Sequence, residues 1–359
     1  MNLHRPIRAC ALFTLLFLAL APGVAIAETP FLGRWAVTPA AGGAGWLEVR
    51  NAAGYLEGTL LWMGGSPEVQ TRVYLDGETL HGLRIVEEDV RDAAGAVVRK
   101  QSRPVSFSAT LNGDELHGLH MEPSADGTVV HKQEFTAKRI PDLPAAPDLT
   151  QYRFGDPIPL FNGHDLEGWV VSGGAYWGNL PGAAPEGAPT AGWIPVEENV
   201  ANGWSAQDGV LVNNPADPAL HYGNIQTRRD FEDFNLSLEV NVGKDGNSGV
   251  YLRGIYEVQV RDSYGMPLDK HNMGGIYGRI APTEAAEKPA GEWQTLDIIL
   301  VERHVTVMLN GKTIIANQPL MGCTGGALWS DESKPGPIYL QGDHTGVQYR
   351  NIVLRPITK

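Results

Sequence analysis

Short runs of alternating apolar and polar residues follow one another along the first part of the chain. They span residues 31–37, 46–49, 55–62, 69–75, 80–86, 97–111, 115–121 and 129–137. Alternation with a period of two places the apolar side chains on one face of a β-strand. Turn-forming pairs such as Asp76-Gly77 and Asn112-Gly113 separate the runs. The pattern predicts about eight antiparallel strands, a number that closes well into a small β-barrel.

The second part of the chain carries further runs of this kind, at residues 234–240, 249–261, 295–301, 304–309 and 338–341. Glycine and proline recur between the runs, whereas helical periodicity is scarce. A proline-rich joint at residues 140–148 separates the two parts. We therefore expect an all-β protein, with an accessory antiparallel β-barrel-like domain at residues 28–140, a proline-rich linker at 141–156 and a β-sandwich domain at 157–359.

The N-terminus has the features of a signal peptide. Arg5 and Arg8 precede an apolar run at residues 9–20, and small residues at 25–27 fit a cleavage site before Glu28. The run is too short for a comfortable membrane span, and Cys10 precedes it, whereas a lipidated cysteine would follow it. We expect residues 1–27 to be cleaved and the mature protein to be periplasmic or secreted, without a membrane anchor. An uncleaved anchor is the alternative.

Charge and cysteine content exclude some classes of protein. The chain has 28 Lys and Arg against 41 Asp and Glu, a formal net charge of −13. Nucleic-acid binding requires clustered positive charge, so we expect no nucleic-acid partner. Removal of residues 1–27 leaves Cys323 as the only cysteine, which excludes an intramolecular disulfide. Cys323 has no catalytic partner next to it in the sequence, and we interpret it as a small loop or core residue.

The segment at residues 247–262 combines a strand pattern with a polar stripe. Apolar side chains at the even positions from Tyr256 to Val260 can face a core. The odd positions carry Arg253, Glu257, Gln259 and Arg261. Charged and amide groups in register predict recognition of a sugar or another hydroxyl-rich ligand. The alternative is a solvated sheet face with cross-strand ion pairs.

Several motifs follow one another in the second part of the chain. They are Pro159-Leu-Phe-Asn-Gly-His-Asp-Leu-Glu-Gly-Trp169, residues 247–262, Gly275-Ile-Tyr-Gly278, Lys288-Pro-Ala-Gly-Glu-Trp293, Asn310-Gly311 and residues 338–352. With this set the chain resembles the bacterial family of 3-keto-disaccharide hydrolases, from about residue 157 to residue 356. The resemblance implies a concanavalin A-like, jelly-roll β-sandwich with a carbohydrate cleft lined by Arg253, Glu257 and Gln259.

A 3-keto sugar changes the chemistry that such an enzyme has to supply. The ketone at C3 acidifies the hydrogen on C2, so a base can remove it and the glycosidic oxygen on C1 can leave by β-elimination. Water that adds to the double bond completes a net hydrolysis, and direct hydrolysis is the alternative. Glu257 is the first candidate for the base or acid, with Asp262 and His344 in reserve. Arg253 is the candidate that stabilises the oxyanion.

Further polar and aromatic residues are candidates for substrate binding. They are Asn247, Gln259, Tyr277, Lys288, Trp293 and Gln341. Amides can satisfy sugar hydroxyls, and aromatic faces stack on sugar rings. Ordinary structural roles are the alternatives: an ion pair of Glu257 with a neighbouring arginine, turns stabilised by Asp262 and His344, and a core position for Trp293.

A divalent metal is considered as a cofactor, because a Lewis acid favours enolate chemistry. Glu257, Asp262 and His344 are suitable donors. No metal-binding spacing such as His-Glu-x-x-His occurs in the sequence, so an enzyme without a cofactor is the other expectation. We expect a carbohydrate as the partner, and the sequence predicts no oligomeric state.

A long insert at residues 170–203 is rich in Gly, Pro and Ala and contains Tyr176, Trp177 and Trp193. Long irregular loops are usually functional lids or disordered segments, and the three aromatic residues favour order. We predict that the insert packs over the cleft or against the first domain. For the whole chain we expect a secreted enzyme that acts on 3-keto glycosides, and a lectin-like binding protein on the same sandwich is the alternative.

Overall fold

The computed structural model of the protein describes residues 29–171, 175–177, 191–193, 203–214 and 224–359. Apart from a short 3-10 helix at Leu149–Gln151, every regular element in these ranges is a β-strand, which confirms the all-β prediction. In the same ranges, no helix has the length and apolar character to cross a membrane. The predicted signal peptide and most of the insert at residues 170–203 lie outside the described residues.

The strands of the first part form one antiparallel sheet. They are β1 Gly33–Pro39, β2 Gly45–Ala52, β3 Tyr55–Trp62, β4 Glu68–Val69, β5 Arg72–Asp76, β6 Thr79–Arg91, β7 Val97–Asn112, β8 Glu115–Pro123 and β9 Val130–Arg139. Their order in the sheet is β4-β3-β2-β1-β9-β8-β7-β6-β5. The edge strands β4 and β5 follow each other directly in the chain, so the sheet curls until its edges approach. Residues 29–171 contain no ladder between β4 and β5, and the closed barrel stays a prediction.

The second part contributes the remaining strands. They are β10 Arg153–Phe154, β11 Ile158–Pro159, β12 Trp169–Val171, β13 Ala175–Trp177, β14 Ala191–Trp193, β15 Trp204–Gln207, β16 Val210–Asn213, β17 Ile225–Thr227, β18 Phe234–Val242, β19 Asn247–Leu252, β20 Tyr256–Arg261, β21 Gln294–Val301, β22 His304–Leu309, β23 Lys312–Pro319, β24 Tyr339–Leu340 and β25 Val347–Thr358. A second sheet has the order β15-β16-β25-β18-β21-β22-β23, with β10 and β11 also paired to β25. A third sheet has the order β12-β17-β24-β19-β20, and β13 pairs with β14.

The second and third sheets enclose the main hydrophobic core. β18 alternates between buried and partly exposed positions along its length, as a strand does when one of its faces covers a core. Leu236, Leu238 and Ile298 of the second sheet pack in one cluster with Val250 and Val258 of the third sheet. Burial of such a side chain stabilises the fold by about 1.5–3 kcal/mol. The two sheets therefore form the predicted β-sandwich.

Residues 249–261 form a tight hairpin, whereas the sequence predicted a single strand. β19 ends at Leu252, and Arg253 and Gly254 adopt positive φ angles of 57° and 67°. These left-handed residues reverse the chain, and β20 begins at Tyr256. The Arg-Gly pair is the signal for this turn, because glycine adopts a left-handed conformation without steric cost.

The first sheet packs directly against the sandwich. The main core includes Trp46 and Leu61 of the first sheet, and the guanidinium of Arg279 lies 4.2 Å from the Trp46 ring. Cys323 is buried at this junction, with its Sγ 3.5 Å from the carbonyl oxygen of Gly45. Burial raises the pKa of the Cys323 thiol to about 12. Cys323 is thus a core residue, one of the two roles predicted for it.

Candidate active site

A polar cleft lies on the face of the third sheet that points away from the sandwich core. Its volume is about 110 Å³. It is lined by Gly64, Gly65, Asn247, Tyr251, Glu257, Gln259, Tyr277, Gly325, Gly326, Tyr339, Gln341, Asp343 and His344. The lining therefore combines the β19–β20 hairpin, strand β24 with the loop after it, and a loop from the first part of the chain.

The hairpin places its odd positions in the cleft. In the antiparallel register, Gly249 lies opposite Gln259 and Tyr251 lies opposite Glu257. The even positions, such as Val250, belong to the core. Because successive side chains of a strand point to opposite faces, the pattern that builds the core also directs the polar groups into the cleft.

Glu257 carries a buried carboxyl group in this cleft. The residue is only 3% exposed, and burial raises its pKa from 4.5 to about 8. A hydrogen bond from the Tyr251 hydroxyl, 2.9 Å from Oε2, favours the charged form but is outweighed by burial. A carboxyl group with such a pKa exchanges protons near neutral pH, as general acid–base chemistry requires.

Tyr251 has one proton and two neighbouring acceptors. Its Oη lies 2.9 Å from Oε2 of Glu257 and 2.8 Å from the carbonyl oxygen of Gly325. When the hydroxyl donates to Gly325, Glu257 stays hydrogen-bonded to Tyr251 only if it is protonated and donates. Tyr251 can therefore accommodate both protonation states of Glu257 by redirecting its own proton.

Gly249 leaves the space that the Glu257 carboxyl group occupies. A Cβ at this position would lie 2.4 Å from Oε1 of Glu257, which is too close for non-bonded atoms. We expect Gly249→Ala to displace the carboxyl group. This should lower kcat/KM for the 3-keto glycoside expected from the sequence about 100-fold in steady-state kinetics, because a shift of about 1 Å can have that effect. Gly243→Ala is the matched control, since nothing lies within 4 Å of a Cβ there. Wild-type kcat/KM in both variants would show that the position of this carboxyl group is unimportant.

Two amide side chains present unpaired acceptors to the cleft. Oε1 of Gln259 and Oε1 of Gln341 are buried and have no hydrogen-bond partner among the described residues. Nε2 of Gln259 donates to Oδ1 of Asn247 at 2.7 Å, which fixes the orientation of the Gln259 amide. A buried acceptor without a partner costs about 1–3 kcal/mol. Both oxygens therefore favour a ligand that is rich in hydroxyl donors.

His344 lies at the rim of the cleft beside a carboxylate. Its Nδ1 is 2.6 Å from Oδ1 of Asp343, and this hydrogen bond raises the pKa of His344. The Asn224 amide lies 3.3 Å from Oδ2 of Asp343 and orients the carboxylate. The positive charge of His344 in turn acts to lower the pKa of Glu257. The site thus pairs a carboxyl group with an imidazole that favours its protonated form.

Two further tyrosines complete the lining. The Tyr339 ring lies 4.5 Å from the Tyr251 ring, and the Tyr277 ring meets the His271 ring edge to face at 4.9 Å. Burial raises the pKa of both Tyr277 and Tyr339. Both hydroxyls therefore stay protonated and can donate a hydrogen bond to an oxygen in the cleft.

Arg253 does not line the cleft, which corrects its predicted position beside Glu257. It belongs to the turn between β19 and β20, and its guanidinium donates to the carbonyl oxygens of Glu332, at 2.6 Å, and Lys334. The turn takes this side chain out of the strand alternation on which the prediction depended. Arg253 therefore anchors the loop at residues 332–334, and the predicted role in oxyanion stabilisation has no geometric basis.

Asp262, Lys288 and Trp293 also lie outside the lining of the cleft. Oδ2 of Asp262 accepts a hydrogen bond from the N–H of Asp245 at 3.0 Å, which is the turn-stabilising role given above as its alternative. Nζ of Lys288 donates to the carbonyl oxygen of Trp293 at 2.9 Å. The Arg350 guanidinium covers the Trp293 ring at 4.0 Å. These contacts correct the catalytic prediction for Asp262 and the substrate-binding predictions for Lys288 and Trp293.

The other residues that the sequence predicted for the site line this cleft. They are Asn247, Glu257, Gln259, Tyr277, Gln341 and His344. The three predicted metal donors do not come together in the cleft. Asp262 lies outside its lining and accepts a hydrogen bond from the N–H of Asp245. Within the described ranges, no group of three or more His, Cys, Asp or Glu side chains could hold a metal ion.

The lining also contains residues that the sequence did not predict, namely Tyr251, Tyr339, Asp343, Gly64, Gly65, Gly325 and Gly326. Tyr251 stands on the same odd-position stripe as Glu257, so the alternation extended back along β19 is a signal that finds it. Gly64 and Gly65 lie in the loop after β3, and no local pattern indicates that tertiary packing brings them to the hairpin. The N–H of Gly326 donates to the carbonyl oxygen of Met63 at 3.0 Å and connects this loop to the opposite wall. The first part of the chain therefore helps to form the site.

Solved structures with some similarity to this chain include carbohydrate-active proteins. A candidate glycosyl hydrolase from Parabacteroides distasonis is 27% identical, with a TM-score of 0.41 over 60% of this chain and 94% of its own. Another from the same organism is 20% identical, with a TM-score of 0.40 over 55% of this chain and 93% of its own. A non-specific endo-β-1,3(4)-glucanase of family GH16 is 12% identical, with a TM-score of 0.32 over 61% of this chain and 94% of its own. These TM-scores are too low to support a functional argument.

A family model provides the decisive comparison. No curated protein matches the chain. The model of the 3-keto-alpha-glucoside-1,2-lyase-like domain matches residues 156–355, which is more than half of the chain and includes the β19–β20 hairpin. The match agrees with the resemblance carried by the sequence motifs and identifies a carbohydrate-active protein. The chain therefore belongs to the family of 3-keto-α-glucoside-1,2-lyase-like domains.

Proposed function

We propose that the protein is an enzyme that cleaves the glycosidic bond of 3-keto-α-glucosides by removing the C2 proton and eliminating the C1 substituent. The observation that carries this proposal is the buried carboxyl group of Glu257, with a pKa of about 8, in a cleft lined by unpaired amide oxygens. Burial raises the pKa of a carboxyl group and so makes its ionised form a stronger base. The description of the matched family, a 3-keto-α-glucoside-1,2-lyase-like domain, supports an elimination across C1 and C2.

The elimination transfers one proton to the protein and breaks one glycosidic bond. The ionised carboxylate of Glu257 takes the hydrogen from C2, and the electron pair of that bond forms an enolate with the C3 ketone. The enolate then restores the ketone, forms a C1–C2 double bond and expels the glycosidic oxygen. Water that adds across the double bond gives the free 3-keto sugar, so the net reaction is a hydrolysis. Release of the enone before hydration makes the enzyme a lyase.

Other groups of the cleft fit the remaining tasks. The imidazole of His344 is the candidate proton donor to the departing oxygen, because its hydrogen bond to Asp343 raises its pKa. The hydroxyls of Tyr277 and Tyr339 are the candidate donors to the enolate oxygen, in place of Arg253. The unpaired oxygen of Gln259 is suited to accept a hydrogen bond from a sugar hydroxyl.

A product assay tests this proposal. The purified protein is mixed with a 3-keto-α-glucosyl disaccharide, with and without added divalent metal, and both the released sugar and the ultraviolet absorbance of an enone are followed. We expect the leaving sugar to appear with the protein and not with buffer alone. If neither product forms although the disaccharide binds, the lectin-like alternative replaces the enzyme.

The pH dependence of the reaction tests the role of Glu257 as a base. We expect kcat/KM to rise with pH and to level off above about pH 8, because the raised pKa of Glu257 keeps its carboxyl group protonated below this value. A 4-nitrophenyl 3-keto-α-glucoside is the suitable substrate, since this leaving group needs no proton donor and its release is measured by absorbance. A kcat/KM that falls with pH over the same range would instead assign Glu257 the role of an acid.

A further inference from the structure

A second cavity, of about 140 Å³, lies on the first sheet next to the cleft. Its lining includes Trp62, Gln70, Arg84, Ser106 and His120. Gly64 and Gly65 line both this cavity and the cleft that contains Glu257. The loop at residues 63–66 is therefore a wall common to the two cavities, and the cavities are direct neighbours.

His120 is a nearly buried side chain that lines this cavity. The residue is 4% exposed, and its ring stacks on the Trp62 ring with 4.1 Å between centroids. Burial lowers the pKa of His120 to about 4, so the imidazole is neutral near pH 7. A neutral imidazole has one donor and one acceptor nitrogen, and neither has a hydrogen-bond partner among the described residues. Both nitrogens are therefore available for hydrogen bonds with a ligand in the cavity.

The groups around His120 are suited to a neutral, hydroxyl-rich ligand. Arg84 lies 3.2 Å from Oε1 of Glu68, so their charges compensate each other and the cavity does not select an anion. Gln70 is mostly buried and donates one hydrogen bond, to the carbonyl oxygen of Glu68 at 3.2 Å. Trp62 provides an apolar wall beside these polar groups. Amide, hydroxyl and neutral imidazole groups next to an aromatic ring are the combination that recognises a sugar.

The common wall is held in place from the sandwich side. Oγ of Ser66 lies 2.7 Å from Nε2 of His271, and Nδ1 of His271 lies 2.5 Å from Oδ1 of Asp269. This order of atoms is that of a nucleophilic triad, but Asp269 is 55% exposed and binds the His271 ring as part of a local turn that also includes the His271 N–H. We interpret the three residues as a connection that fixes the loop at residues 63–66 between the two cavities.

We propose that the second cavity binds the leaving sugar of the substrate, so that the first sheet selects which 3-keto disaccharides are cleaved. The inference rests on the proposed function, because it assigns the 3-keto ring to the cleft with Glu257 and the departing ring to the cavity with His120. It also gives the first sheet a part in substrate binding, which is compatible with the accessory or substrate-presenting domain that the sequence predicts.

Two substrates of different size test this assignment. One is a 3-keto-α-glucosyl disaccharide and the other is methyl 3-keto-α-glucoside, which has no second ring. We expect His120→Gln and Gln70→Leu each to raise the KM of the disaccharide about 10-fold, as the loss of one or two hydrogen bonds predicts. The kcat/KM of the methyl glucoside should stay at the wild-type value. His117→Gln is the matched control, since His117 lies on the same strand, β8, but is exposed and does not line this cavity.

Calorimetry with the unoxidised disaccharide separates the second site from catalysis. We expect His120→Gln to weaken this binding about 10-fold while His117→Gln does not, with thermal melts confirming that both variants are folded. Equal losses for the two kinetic substrates, or unchanged binding in His120→Gln and Gln70→Leu, would overturn the second site. If no 3-keto substrate is turned over but the calorimetric difference is present, the proposed reaction is wrong and the second sugar site stands.

Discussion

Replacement of Glu257 by glutamine is expected to lower kcat on a 3-keto-α-glucoside about 1,000-fold, within the range found for general acid–base catalysis. The amide retains the size of the side chain and can still accept a hydrogen bond from Tyr251, but it cannot take the C2 proton. The substrate affinity should change by less than about 3-fold, because the variant loses an interaction that forms only in the transition state. Single-turnover kinetics and calorimetry measure the two effects separately.

The same variant is expected to be more stable than the wild type at high pH. The pKa of about 8 in the folded protein lies above the ordinary value of 4.5, so the folded state binds this proton more tightly than the unfolded state does. The contribution of Glu257 to stability is therefore complete below about pH 4.5 and is lost as the pH rises through about 8. The difference between the two pKa values sets an upper limit of about 5 kcal/mol on this loss. Glutamine does not ionise and avoids it.

Thermal melts at several pH values check this expectation. The melting temperature of Glu257→Gln should exceed that of the wild type by an amount that grows between about pH 5 and about pH 9. A difference that does not depend on pH would mean that Glu257 has an ordinary pKa.

In the kinetic experiment, a kcat of Glu257→Gln close to the wild-type value would mean that another group removes the proton.

Arg303→Ala is expected to destabilise the fold by about 3–5 kcal/mol. The Glu332 side chain is 1% exposed, its Oε2 lies 2.5 Å from Nη2 of Arg303, and the same oxygen accepts a hydrogen bond from the Tyr256 hydroxyl at 2.8 Å. Removal of Arg303 leaves a buried carboxylate without its ion-pair partner. Loss of Arg303 should also disturb the cleft. Arg253 donates a hydrogen bond to the carbonyl oxygen of Glu332, and this contact holds the hairpin that carries Glu257.

A double variant distinguishes loss of the charge pair from loss of packing. Glu332→Gln in the Arg303→Ala background removes the uncompensated charge, and we expect it to recover most of the lost free energy of unfolding in urea titrations. A destabilisation by Arg303→Ala of less than about 1 kcal/mol, a value typical of exposed ion pairs, would show that solvent reaches Glu332. If Glu332→Gln recovers nothing, the arginine acts through its packing.

Strand positions were the most predictable part of this fold, because alternation is a local property. The sequence predicted strands at residues 55–62 and 304–309, and the structure has Tyr55–Trp62 and His304–Leu309. The β19–β20 hairpin was missed because apolar residues flank Arg253 on both sides and continue the strand pattern through the turn. Two consecutive left-handed residues, Arg253 and Gly254, form the turn. Of these two, only glycine indicates a left-handed conformation in the sequence.

The site was predictable where it depends on strand register and unpredictable where it depends on distant packing. Glu257 and Gln259 share a strand face, so the period of two was enough to bring them together. Trp293 belongs to one of the motifs that carry the family resemblance, but the position of its ring depends on Arg350 of β25. The wall formed by Gly64 and Gly65 depends on contact between the two parts of the chain, and no pattern within either part carries that information.

Loss of the C2 hydrogen to solvent is the most direct test of the central claim, that the Glu257 carboxylate starts the reaction as a base. A 3-keto-α-glucoside with deuterium at C2 is turned over by the wild type and by Glu257→Gln, and the sugar product is analysed by mass spectrometry. We predict that the wild-type product has lost the deuterium, that the reaction shows a primary isotope effect on kcat/KM, and that Glu257→Gln catalyses neither exchange nor cleavage. The claim would be contradicted if the wild-type product retained the deuterium at C2 and the reaction showed no isotope effect, or if Glu257→Gln cleaved the substrate at the wild-type rate.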